Sequence, residues 1–81
     1  MIVYVKLIAN YREALPKGPE AKHGMVELDV PQGVTVYDVI SRFDIPLDDT
    51  SVIVLNGLTV DMNTPLKEGD MVTAFSAIAG G

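Results

Sequence analysis

Apolar and polar positions alternate with different periods along the chain, and the changes of period mark its elements. MIVYVKLIA is β-branched and apolar, with one charge at Lys6. A run of this kind predicts a strand buried on most of both faces, and so one at the centre of a sheet. NYREAL allows one turn of helix, which Pro16, Gly18 and Pro19 would stop. PKGPEAKHG then reads as an exposed loop. In MVELDV the period is two: Val26, Leu28 and Val30 share one face, and Glu27 and Asp29 the other. That predicts a half-buried strand. In TVYDVISRF the period lengthens, and Val36, Val39, Ile40 and Phe43 form one helical stripe. Thr35 is placed to cap this helix, with Asp38 three residues on as a short relative of the capping-box glutamate. Pro46 is expected to end the helical region.

The second half reads as hairpin and strand. SVIVL is a short apolar strand, and Asn56-Gly57 is a strong two-residue hairpin signal, since both residues accept positive φ. LTV returns as a short strand. DMNTPLKEGD is a loop in which Gly69 suits a left-handed turn. MVTAFSA is the last strand, and IAGG runs off its end. The order is strand, strand, helix, strand, short strand, strand. One helix across one sheet is an α+β arrangement. Apolar first and last strands fit side by side at the sheet's centre, which is the β-grasp, or ubiquitin-like, layout: a mixed sheet with one main helix packed on it. The division expected is a β-grasp domain over residues 1–75 and a flexible C-terminal tail over 76–81.

Composition narrows the function classes. The chain has 81 residues, enough for one small domain, and no cysteine. Disulfides, thiolate metal sites and a protein-borne persulfide are thereby excluded. The single histidine, His23, has no second ligand nearby and reads as a loop residue. The net charge of −5 argues against a nucleic-acid partner, whose binding draws on many Lys and Arg contacts. It suits a partner with a basic surface. No stretch approaches the roughly 20 apolar residues of a membrane span, and the first residues lack a basic leader. A cytoplasmic location is the resulting expectation. The carboxylates are scattered, no nucleophile–histidine–acid set exists, and Tyr4, Tyr11 and Tyr37 occupy ordinary strand, turn and helix positions.

What remains is SAIAGG. A Gly-Gly ending has a chance frequency of about 0.5% at ordinary glycine usage. Two glycines fit where a backbone enters a channel with no room for Cβ, and the last residue exposes a carboxylate with no side chain beside it. Six residues from Ser76 to Gly81 span roughly 20 Å when extended. A free carboxylate is a poor acyl donor. It needs activation, normally by attack on the α-phosphate of ATP, after which sulfur or an amine can attack the acyl-adenylate. On this reading the chain is a macromolecular substrate.

The sequence resembles the MoaD/ThiS sulfur-carrier family, whose members include the small subunit of molybdopterin synthase and the sulfur carrier of thiamine biosynthesis. The resemblance runs over the whole chain and is strongest in VLNGLTVDMNTPLKEGDMVTAF followed by SAIAGG; VKLIANYRE resembles the family's opening strand. Length and the NYREALPKGPEAKHG insert favour the molybdopterin branch. The tail departs from that branch, which usually has two prolines where this chain has Ser76 and Ala77, and IAGG is familiar from the thiamine branch. The resemblance implies that Gly81 is adenylated by a ubiquitin-activating-type adenylyltransferase using ATP and magnesium. A sulfur-donor protein then converts it to a thiocarboxylate. The large catalytic subunit of molybdopterin synthase, or a thiazole synthase, would receive the sulfur. No cofactor and no metal would be bound by this chain itself. Gly80, Ala79 and Ile78 would enter the partner's site. The same terminus also fits a ubiquitin-like protein modifier, and a plain β-grasp binding module is the reading in which the tail is incidental.

Phe75 is the remaining candidate. In MVTAFSA, Met71, Thr73 and Phe75 share one face, and Val72 and Ala74 the other. Size alone puts Phe75 in the core. The resemblance instead puts Val72 and Ala74 inside and leaves Phe75 exposed at the root of the tail as a docking anchor, with Leu58 joining the same patch.

Overall fold

The computed structural model describes residues 1–8, 11, 21–22, 24–43, 45–48 and 50–77. Gly81, Gly80, Ala79, Ile78 and His23 lie outside the described residues, as do most of NYREAL and PKGPE. The apolar alternation of the opening run becomes β1, Ile2–Leu7. Val3, Val5 and Leu7 are buried on one face, while Ile2 and Tyr4 are half-buried and Lys6 is exposed on the other. The strand is therefore central but covered on one face only, which corrects the expectation of burial on both. The physical reason is that the described residues form a single α-helix, and one helix covers one face.

Two residues of the expected loop, Ala21–Lys22, form a short strand, β2. It pairs with β3, Met25–Asp29, which pairs antiparallel with β1 in turn. β4 spans Ser51–Leu55, β5 Leu58–Thr59 and β6 Met71–Ser76. The sheet order is β2-β3-β1-β6-β4-β5. β1 and β6 lie side by side and parallel at its centre, with Val5 opposite Val72 and Leu7 opposite Ala74. This is the expected β-grasp. β6 runs through Ser76, and the Ala77 amide donates to the Thr50 carbonyl at 2.8 Å. The sheet thus continues into the segment assigned above to the tail.

The helix α1, Val36–Ile40, is shorter than its sequence stripe and ends before Pro46, at a Ser41 C-cap. Val36, Val39 and Ile40 are fully buried in one core with Val3, Val5 and Val72, and Phe43 packs against that core from the turn that follows. The capping box forms as expected. The Thr35 hydroxyl accepts the Asp38 amide at 3.3 Å, and the Asp38 carboxylate accepts the Thr35 amide at 2.9 Å. The first amides of a helix have no partner within it. Here the Val36 and Tyr37 amides donate to the carbonyls of Thr64 and Met62. The segment 60–66 thereby lies across the start of α1 and carries Leu66 into the core.

The hairpin also forms as read. Asn56 has φ 51° and Gly57 φ 89°, so both central residues are left-handed. Gly69 has φ 85° at the turn before β6. The Asn56 side chain ties the two turns together: its amide donates to Asp70 at 2.9 Å, and its carbonyl accepts the Met71 amide at 2.9 Å.

Truncating Ile40 to alanine is expected to cost about 2–5 kcal/mol. That is a large share of the 5–15 kcal/mol typical of a whole domain. Thr35→Ala removes the cap and is expected to cost about 1 kcal/mol. Urea unfolding followed by circular dichroism measures both.

Candidate functional site

The tail emerges from β6, so the site is built outward from that strand. Val72 and Ala74 are fully buried. Phe75 is half-buried and lies on the opposite face, outside the core cluster. Size alone favours Phe75 inside. The small side chains win because β6 is central and α1 presses on that face, leaving little depth there for a ring.

The register places Phe75 opposite Val52 of β4. On its other side, the Ile8 amide donates to the Ala74 carbonyl at 3.1 Å, which carries the parallel ladder one residue past β1. Ile8 is 39% exposed. Ile8, Phe75 and Val52 therefore form an apolar row across three strands on the helix-free face, at the end where the chain leaves the sheet. Thr73 and Val54 form the next row. Partly exposed apolar side chains in one row are a candidate docking face. Leu58, at 71% exposed, does not belong to it. Its register partner is Leu55, which packs on the core, so Leu58 stands at the sheet edge on the other side from Phe75. The sequence reading missed Ile8; its place beside Phe75 depends on the parallel pairing of distant strands.

The loop between α1 and β4 forms the second part of the site. One Asp48 carboxylate oxygen accepts the Thr50 amide at 2.8 Å and the Thr50 hydroxyl at 2.5 Å. These bonds favour the ionised form and hold the Asp48 carboxyl below its ordinary value of 3.8, with the Thr50 hydroxyl as the largest cause. The Ser51 hydroxyl donates to the Pro46 carbonyl. It also meets the Tyr11 phenol at 2.5 Å. Tyr11, read from sequence as an ordinary turn residue, is buried in the core. The spacing Asp48-x-Thr50, which favours a side chain bonding two residues on, is the signal that marks this loop. Beside it lies an open groove of about 270 Å³ with Leu47, Val52, Ile53, Val60 and Met62 in its walls.

Among the described residues no group of three or more His, Asp or Glu is arranged to hold a metal ion. Apart from Tyr11, none of the described residues with a polar or charged side chain is buried. No helix among them is long and apolar enough to cross a membrane.

Comparison with known proteins agrees with this geometry. A family model described as ThiS family matches residues 5–81. A search among curated proteins finds no match. Among solved structures, SAMP1 from Haloferax volcanii superposes with a TM-score of 0.75 at 24% identity, over 100% of both chains. A putative molybdopterin converting factor, subunit 1, from Pyrococcus furiosus gives 0.73 at 25% identity, over 95% of this chain and 98% of that one. A complex of subunits 1 and 2 of molybdopterin-converting factor from Helicobacter pylori 26695 gives 0.61 at 20% identity, over 100% of both chains.

Since Asp48 titrates below its ordinary value in the folded chain, its stabilising contribution is present above the unfolded value and is lost as pH falls through the lower folded one. A carbon-detected NMR titration is expected to place the Asp48 midpoint below 3.8. Thr50→Val, which removes the largest cause, is expected to move it back up.

Proposed function

This chain belongs to the ThiS family, and on that premise we propose that it is a sulfur carrier whose reactive group is the carboxylate of Gly81. The observation that carries the proposal is the match of the family model through residue 81, joined to an apolar docking row at the root of the same segment. The chemistry follows from the group. The Gly81 carboxylate attacks the α-phosphate of magnesium-bound ATP on an activating enzyme, and pyrophosphate leaves. The terminal sulfur of a persulfide on a donor protein attacks the acyl carbon, and AMP leaves. A second thiol of that donor cleaves the resulting acyl disulfide, which leaves a thiocarboxylate on Gly81 and a disulfide on the donor. The carrier itself needs no cysteine, because the sulfur rides on its terminal carbonyl carbon.

The pathway proposed is molybdopterin synthesis, with this chain as the small subunit of the synthase. The similarity to subunit 1 from Pyrococcus furiosus supports it, and the Helicobacter pylori complex supplies the precedent for a second subunit as partner. In this reading Ile8, Phe75 and Val52 dock on the partner, while Ile78, Ala79 and Gly80 carry Gly81 into its pocket. The thiamine carrier remains the alternative within the same chemistry.

Incubation with the cognate activating enzyme, ATP and a persulfide donor is expected to replace one oxygen of Gly81 by sulfur, read as the corresponding gain in intact mass. An isopeptide link from Gly81 to a lysine, without thiocarboxylate, would identify a protein modifier instead. Deleting Gly80 and Gly81 is expected to abolish the reaction with an unchanged circular dichroism spectrum. Phe75→Glu is expected to weaken docking by about 10- to 30-fold, as loss of a central aromatic anchor does. Titration calorimetry against the partner measures it.

A further inference from the structure

The bonds of the α1–β4 loop lie on either side of one backbone carbonyl, that of Thr50. Asp48 holds the amide and the hydroxyl of Thr50. The Ser51 amide donates to the Asp48 carbonyl at 3.1 Å. The Ser51 hydroxyl is held between the Pro46 carbonyl and the Tyr11 phenol, which is anchored in the core. Between these fixed points stands the Thr50 carbonyl, and it accepts the Ala77 amide at 2.8 Å. Asp48 itself is exposed and adds nothing to the core. Its bonds order the loop end that meets the outgoing chain.

We propose that Asp48 and Thr50 are positioning residues for the reacting terminus, holding Ala77 to the sheet so that the Gly81 carboxylate is presented on a short tether. The inference rests on the sulfur-carrier reading above and adds a geometry to it. With Ala77 tied, Gly81 lies within about 14 Å of its anchor, four residues of extended chain. If the ladder opened back to Phe75, the same carboxylate would range over roughly 20 Å, set by six residues. A shorter tether raises the fraction of docked carriers whose carboxylate stands at the attacking position, and orientation of this kind acts on the chemical step. The side chains of the proposed docking row, Ile8, Phe75 and Val52, take no part in the bonds that tie Ala77.

The experiment uses the full chain with Asp48→Ala and Asp48→Asn. Amide hydrogen exchange is read by NMR, and ATP–pyrophosphate exchange is measured with the cognate activating enzyme. Asp48→Ala is expected to speed exchange at Ala77 by at least about tenfold while Val5 and Val72 stay protected, since a local opening frees only the residues it unties. It is expected to lower kcat about 3- to 10-fold with KM within about twofold, the signature of lost orientation rather than lost binding. Asp48→Asn keeps an acceptor oxygen and is expected to recover most of both losses. Unchanged exchange at Ala77 in Asp48→Ala overturns the proposal, and so does faster exchange with an unchanged kcat. A rise in exchange at Val5 and Val72 together with Ala77 shows a general loss of stability and also overturns it. A wild-type chain that is not adenylated at all refutes the sulfur-carrier reading itself, a result distinct from these.

Discussion

The parallel pairing of β1 with β6 is the constraint on which the rest of the structure depends. It joins the two ends of the sequence at the centre of the sheet, with Val5 against Val72 and Leu7 against Ala74. Parallel neighbours need a long crossover, and everything from β2 to the turn at Gly69 serves as that crossover. The pair also settles which side chains of β6 are buried. With α1 lying on one face only, Val72 and Ala74 fill the core, and Phe75 is turned to the helix-free face beside Ile8. The proposed docking row and the exit of the chain are therefore products of the same pairing that holds the domain together.

Around that pair, polar bonds do the work of fixing ends. The first amides of α1 are taken up by the capping box and by the carbonyls of Met62 and Thr64, so the segment before β6 is pinned to the helix. Asn56 pins the hairpin to the turn at Asp70. Asp48, Thr50 and Tyr11 pin the start of β4, and through it Ala77. Each of these ties lies at an element boundary, where backbone groups lack partners within the element. At position 77 the residue type matters: alanine has an amide hydrogen to give to Thr50, and a proline there would have none.

By itself the sequence determined what depends on local chemistry. The Asn56-Gly57 turn, the left-handed Gly69 and the Thr35–Asp38 cap follow from the conformations those residues accept, and each formed as read. The alternation of Val26, Leu28 and Val30 and the stripe of Val36, Val39 and Ile40 specified core faces, because burial follows a period of 2 or 3.6. The β-grasp order was legible for the same reason. Tertiary structure decided what depends on residues far apart. Apolar alternation could not say whether β1 is covered on one face or two, since that depends on how many layers pack on the sheet. It could not choose the buried face of β6, where the larger side chain lost to the smaller ones. Ile8, Tyr11 and Thr50 acquired their places from bonds with Ala74, Ser51 and Ala77. No pattern within a single element encodes those meetings, because they exist only once the two ends of the chain are brought into one sheet.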